Sequence, residues 1–215
     1  MIEKVKQTTS EKLLLVLFII LGMIALYIFV ILPQKCLFVK NHDPKKIIFK
    51  NPENIAVLNV NCGNIIIKLY PDISPKSVER FKMLIASGKY NNIAFHRVIK
   101  NVLIQSGDLE FGKKDNVNYL YIGKGKSGFG TINSELNNKT EFKAGTVGLA
   151  RTNKLNTEDS QFFILLEDAP LFKGEYTPIG QVIYGLEVLD TITDDHRREY
   201  VLRPDFINSF KLLID

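Results

Sequence analysis

Residues 93–108, IAFHRVIKNVLIQSGD, gather β-forming apolar side chains, one arginine and one glutamine around a polar dipeptide. Residues 95–99 and 102–105 read as short strands, and Lys100-Asn101 has the turn-tolerant chemistry of a connection between them, so the stretch is a hairpin. Side chains alternate along a strand, which puts Phe95, Arg97 and Ile99 on one face and His96 and Val98 on the other. Arg97 is thereby expected between apolar neighbours. On either side of this hairpin the chain is rich in strands. Residues 54–60 and 64–70 alternate around Asn61-Cys62-Gly63 as another hairpin, and later strands read at 146–150, 161–166, 179–184 and 206–214. One clear helix follows Ser74 as its cap, with Pro75 in its first turn, an apolar stripe of Val78, Phe81, Leu84 and Ile85, and Gly88 as its stop. A short second helix reads at 186–192. Residues 109–128 form a polar, glycine-containing loop longer than a compact connection needs, read as a surface insertion. With no repeat and no alternation of strands with long helices, these elements imply an antiparallel β-barrel or sandwich with two helices.

The remainder of the 215 residues has a different character. Residues 13–32, LLLVLFIILGMIALYIFVIL, carry no charge and no polar face. At about 1.5 Å per residue they would span roughly 30 Å of bilayer, and Pro33 ends them. A cleavable leader has a shorter apolar core, about 7 to 15 residues, and ends at small residues, so an uncleaved anchor is expected. The chain then divides into a tail (1–12), a membrane helix (13–32), a basic linker (33–52) and a folded domain (53–215). The net charge of +5 lies wholly in residues 1–50; basic and acidic residues balance in 51–215, which gives no electrostatic case for nucleic acid. The linker lysines suit anionic headgroups or solvent. Counting basic residues around the helix places the domain in the cytoplasm by a small margin, and a luminal domain stays open. An endomembrane or secretory membrane is favoured over the plasma membrane. If the domain is luminal, Asn138-Lys139-Thr140 is a glycosylation sequon. Cys36 and Cys62, the only cysteines, are too few for a disulfide framework; Cys36, just beyond the membrane helix, is open to reversible acylation and is read as a plain free thiol.

Conventional catalytic chemistry is not evident. His42, His96 and His196 are scattered, no cysteine or serine has a base partner in sequence, and no grouping has metal-ligand spacing, so neither metal nor cofactor is expected. Glu158-Asp159 and Asp194-Asp195 read as solvated loop charges. Gly125-Lys126-Ser127 looks like the end of a phosphate loop, but Leu120 stands where that pattern needs glycine, which excludes nucleotide binding.

Four motifs instead resemble the cyclophilin family: FHR-V-I running to Q-x-G-D in the 93–108 hairpin, G-T-V-x-x-A-R at 145–151, S-Q-F-F-I at 160–164 and G-x-Y-T-x-x-G at 174–180. They occur in the family's order and cover about residues 53–213. The resemblance implies a closed eight-stranded antiparallel barrel capped by two helices, and a peptidyl-prolyl cis-trans isomerase that rotates X-Pro bonds of proline-containing segments to assist folding. By motif position, Arg97 is implied as the catalytic arginine, Gln105 as holding the substrate backbone and Phe163 as the floor of the proline pocket. Ala150, Arg151 and Gln161 are implied in the peptide groove, with Val102, Leu103, Leu171, Phe172 and Tyr176 around the pocket. Val102 replaces a phenylalanine of the best-studied members, Leu103 a methionine, Leu171 the tryptophan important for cyclosporin, Phe172 a leucine and Tyr176 a histidine. Slow turnover and weak cyclosporin binding are therefore expected. Two other functions are open on the same residues: a module that binds proline segments without turnover, and a docking piece of a membrane complex.

Overall fold

A computed structural model describes residues 8–31, 35–195 and 200–214. The expected tail before Thr8, the helix stop at Pro33, and His196 lie outside these residues. The chain divides into two compact units, Met1–Phe38 and Val39–Asp215.

The first unit holds helix α1 (Thr9–Leu26), continued by one π-helical turn, Tyr27–Ile31. It begins earlier than residue 13 because Thr8 caps it: the Thr8 hydroxyl accepts the Glu11 N–H, and the Glu11 carboxylate accepts the Thr8 N–H at 2.8 Å. The 23 residues Thr9–Ile31 are long and apolar enough to cross a membrane, and none of the α1 side chains is buried within the protein.

The second unit is built on eight strands: β1 (Ile55–Val60), β2 (Gly63–Leu69), β3 (Arg97–Ile99), β4 (Leu103–Ser106), β5 (Thr146–Leu149), β6 (Phe162–Leu165), β7 (Pro178–Tyr184) and β8 (Ser209–Leu212). They form one antiparallel sheet in the order β3-β4-β6-β5-β7-β2-β1-β8. The eight strands match the expectation, but closure does not: among the described residues no ladder joins β3 to β8, so the sheet is curled and open. The short β3 pairs fully only with β4 and otherwise makes an isolated bridge to Tyr200.

Helix α2 (Pro75–Ala86) lies against the sheet through the predicted stripe, with Val78, Phe81, Leu84 and Ile85 all buried. Phe81 and Phe162 meet edge to face at 5.3 Å, and Tyr90 and Phe210 complete the aromatic centre. Ser74 does not cap α2. Its buried hydroxyl donates to the Pro178 carbonyl instead, and the Glu135 carboxylate takes the helix N–H groups of Lys76 and Ser77 at 3.2 and 2.8 Å. Gly88 closes the helix at φ +66°, where an L side chain would be strained. The second helix, α3, covers only Leu186–Leu189.

Other expectations change as well. Phe95 precedes β3 and joins the main core with Val98, so it does not share a face with Arg97. Glu158 and Asp159 are buried, and Asp159 pairs with Arg80 at 3.2 Å, a partner too distant in sequence to read from local charge. Cys36 and Cys62 are both disulfide-bonded. A low cysteine count excludes a disulfide framework but not disulfide bonding.

Candidate active site

Sheet register builds the site. Arg97 on β3 stands opposite Gln105 on β4, Gln105 opposite Phe163 on β6, and Phe163 opposite Gly148 on β5. Residues directly opposite one another share a face, so the four form one row across four strands. The next row along the same face holds Ile99, Leu103 and Leu165. These side chains belong to a second apolar cluster of Leu103, Phe142, Phe163 and Leu165, separate from the main core. Gly148 is the residue that permits this face: a Cβ there would lie 2.4 Å from the Phe163 ring.

Two aromatic rings from the segment after β6 stand on Phe163. Phe172 and Tyr176 meet it edge to face at 5.6 and 5.3 Å, and lie 4.7 Å from each other. Arg151 sits over Tyr176, its guanidinium 5.0 Å from the ring centroid, and is held by the Glu175 carbonyl. Ala150 packs against the same cluster. Leu171 projects into solvent, 86% exposed, and Val102 is also exposed. Sequence order therefore brings Phe163, Phe172, Tyr176, Leu103, Ala150 and Arg151 together but leaves Leu171 outside the apolar cluster.

Beside the apolar cluster runs a polar chain. The Gln161 amide donates to the carbonyls of Gly123 and Gly125, both at 3.0 Å, which leaves its oxygen to accept the Gln105 amide at 2.9 Å. The Gln105 oxygen in turn accepts an Arg97 guanidinium N–H at 3.2 Å. Each amide has one orientation that satisfies the chain, so the guanidinium is aimed from the 123–125 loop. That loop hangs on Asp108, a fully buried carboxylate that accepts the N–H groups of Gly123 at 2.6 Å and Gly125 at 3.0 Å, and also those of Glu110 and Phe111. The segment read as a surface insertion is thus part of the site. Gly123, Gly125 and Asp108 were legible only as a Gly-x-Gly spacing after Q-x-G-D; nothing in the sequence marked Phe142. A pocket of about 260 Å³ opens here between Gln105, Gln161, Ala150 and Arg151 on one side and Lys124 and Lys126 on the other.

His96, next to Arg97, is buried on the opposite face, and among the described residues neither ring nitrogen has a hydrogen-bond partner. Burial pushes its pKa down to about 4, against the opposing pull of the Asp108 carboxylate. The folded protein therefore holds it neutral while the unfolded chain protonates it near its ordinary value of about 6.5. Above that pH both states are neutral and the full stability is present; as pH falls toward 4 the unfolded state gains protons and stability drops, by up to about 3 kcal/mol. Urea unfolding at pH 7.5 and pH 5 should show this loss, and His96→Gln should reduce the difference between the two pH values.

Chemically, the face offers an oriented guanidinium and amide beside an aromatic floor. No group of His, Cys, Asp and Glu among the described residues could hold a metal ion.

Residues 55–211 match the family model for cyclophilin type peptidyl-prolyl cis-trans isomerase/CLD. The chain is 38% identical over 160 residues to a probable peptidyl-prolyl cis-trans isomerase of Brucella suis, covering 73% of this chain and 81% of the relative. It is 33% identical over 146 residues to peptidyl-prolyl cis-trans isomerase B of Escherichia coli, covering 64% and 83% respectively. The crystal structure of a Cryptosporidium parvum cyclophilin-type peptidyl-prolyl cis-trans isomerase, solved in the presence of the dipeptide Ala-Pro, superposes with a TM-score of 0.64 at 27% identity. That match covers 74% of this chain and 98% of the parasite chain.

Proposed function

The chain belongs to the cyclophilin-type peptidyl-prolyl cis-trans isomerase family, and from that premise we propose that it is a membrane-anchored isomerase assisting protein folding, with Arg97 as its catalytic group. Rotation about an X-Pro bond meets a barrier of about 18–20 kcal/mol from amide resonance, and needs neither nucleophile nor metal. As the bond twists, the prolyl nitrogen recovers a lone pair. A fixed cationic donor favours that twisted state over either planar one. Arg97 supplies the donor, Gln105 and Gln161 hold the substrate backbone, and Phe163, Leu103, Phe172 and Tyr176 receive the proline ring. Ala150 and Arg151 line the path of the residues before proline, and Val102 its rim. The row Arg97–Gln105–Phe163–Gly148 carries this reading, because it sets a donor beside an apolar floor on one rigid face.

The test uses residues 35–215, which keep both cysteines and the whole second compact unit. A structural relative is almost entirely covered by the corresponding region, so the unit is expected to fold alone. Exchange of an Ala-Pro peptide followed by NMR should accelerate on adding it. Binding without acceleration would select the alternative of a proline-binding module, which the exposed Val102 and Leu171 favour. Neither binding nor acceleration would leave a docking role in a membrane complex. With Leu171 86% exposed and no tryptophan in the chain, cyclosporin should bind weakly; nanomolar affinity in a titration would contradict this.

Residues 13–32 act as the anchor, residues 33–52 as a linker and residues 53–215 as the working domain, in a membrane of the secretory system. The disulfide-bonded cysteines favour the oxidising side of that membrane over the cytoplasmic side favoured by lysine counting. Trypsin added to sealed vesicles would leave a luminal domain intact and digest a cytoplasmic one.

A further inference from the structure

The proposed site accounts for one face of the domain. A second cleft, of about 730 Å³, lies beyond the 123–128 loop and is not part of it. Four exposed lysines line it, Lys89, Lys113, Lys114 and Lys126, against two carboxylates, Glu110 and Asp115. One oxygen of Glu110 faces the Lys126 backbone N–H at 3.4 Å. Among the described residues none of the four ammonium groups has a carboxylate within ion-pair distance; Lys89 and Lys114 lie over the rings of Phe129 and Phe206 instead. Basic and acidic residues balance over 51–215, so this excess is a local segregation of charge and not the spill-over of a basic domain.

Lys126 is also a wall of the smaller pocket between Gln105, Gln161 and Ala150. The two depressions therefore meet at one residue, and a polypeptide leaving the Gln105 side of the groove over Lys124 and Lys126 would enter the lysine cleft. We propose that the cleft is an exosite for an acidic tract, rich in Asp or Glu, that flanks the isomerised proline in the same substrate chain. This rests on the reading of the groove as the isomerisation site. Opposite charge would add affinity and speed encounter for such substrates, and the contribution would fade with salt because the lysines are exposed.

Two measurements on residues 35–215 separate the two readings. The first is binding of a proline-free peptide of glutamates, read by NMR shifts at residues 89, 113, 114 and 126. The second compares turnover of a neutral Ala-Pro peptide with that of the same peptide extended by a glutamate tract, before or after the proline. The expected result is saturable binding of the glutamate peptide at the four lysines, and at least a tenfold higher kcat/KM for one of the extended peptides at low salt. Lys113→Glu combined with Lys114→Glu should abolish both effects and leave turnover of the neutral peptide unchanged. Equal turnover of neutral and acidic peptides, or shifts elsewhere on the surface, would overturn the exosite. So would tight, lysine-dependent binding of a short RNA in place of the glutamate peptide. Failure to turn over either the neutral or the extended peptides, with the glutamate peptide still bound at the lysines, would sink the groove reading and leave only the affinity of the cleft for acidic tracts standing.

Discussion

Arg97→Ala should lower kcat/KM for an Ala-Pro peptide by roughly 100- to 1,000-fold, the usual loss when a pre-aimed donor to developing charge is removed. The effect should fall on kcat more than on KM. In the proposed site, binding comes from burying the proline ring against Phe163, Phe172 and Tyr176, whose mutual contacts do not involve Arg97. The fold should be indifferent, because the Arg97 side chain is only partly buried and lies outside both apolar clusters. Exchange spectroscopy on the peptide, beside a titration of the same peptide, would resolve the two parameters. A lysine at this position restores the charge but not the planar fork that meets Gln105, so it should recover only part of the rate. Unchanged turnover in the alanine variant would remove the arginine from the mechanism.

The second large effect is expected in the loop behind Gln161, at a residue with no proposed contact to the proline ring. Gly125→Ala should reduce turnover by about tenfold or more, since a displacement of about 1 Å remote from the chemistry can cost up to about 100-fold. A Cβ at position 125 would lie 1.9 Å from a carboxylate oxygen of Asp108 and 2.8 Å from the Glu110 side chain. The loop must then shift, and with it the two carbonyls that fix Gln161. Gly125 does not have a left-handed backbone, so the objection is steric and not conformational. Asp108→Ala should act on the same loop by a different route, stranding the N–H groups of Gly123 and Gly125 and costing stability of about 1–3 kcal/mol for each one left buried. Because both changes act on one contact, their effects on rate should be less than additive in the double variant. Additive losses would mean that Gly125 and Asp108 act on the site independently.

How much of this was legible beforehand depends on the range of the interaction. The α2 stripe and most strand positions were readable, because periods of 3.6 and 2 are local properties of Val78–Phe81–Leu84–Ile85 and of β1 and β2. Arg97, Gln105 and Phe163 were nameable from motif position, but the row they form is a matter of register among β3, β4 and β6, which no local pattern reports. The same limit hid Glu135 as the group that meets the α2 N-terminus and Arg80 as the partner of Asp159. Phe95 was misplaced because alternation was extended two residues before β3 begins. The 109–128 segment is the surface loop expected, but its attachment to the site was hidden because polarity and glycine content look alike in a passive loop and in one pinned by a buried aspartate.

Arg97 opens β3, a strand of three residues at the end of the sheet order, which among the described residues has a ladder to β4 and an isolated bridge to Tyr200. Short outer strands open at lower free energy than the core they border. With Arg97 as the proposed catalytic group, the thermal limit on catalysis is expected to be set locally: warming would open β3 while the Phe81–Phe162–Phe210 centre stays packed. Durability of the fold and durability of the activity are separate properties in this enzyme. A substitution that tightens the centre would raise the melting temperature without extending the range over which the enzyme works.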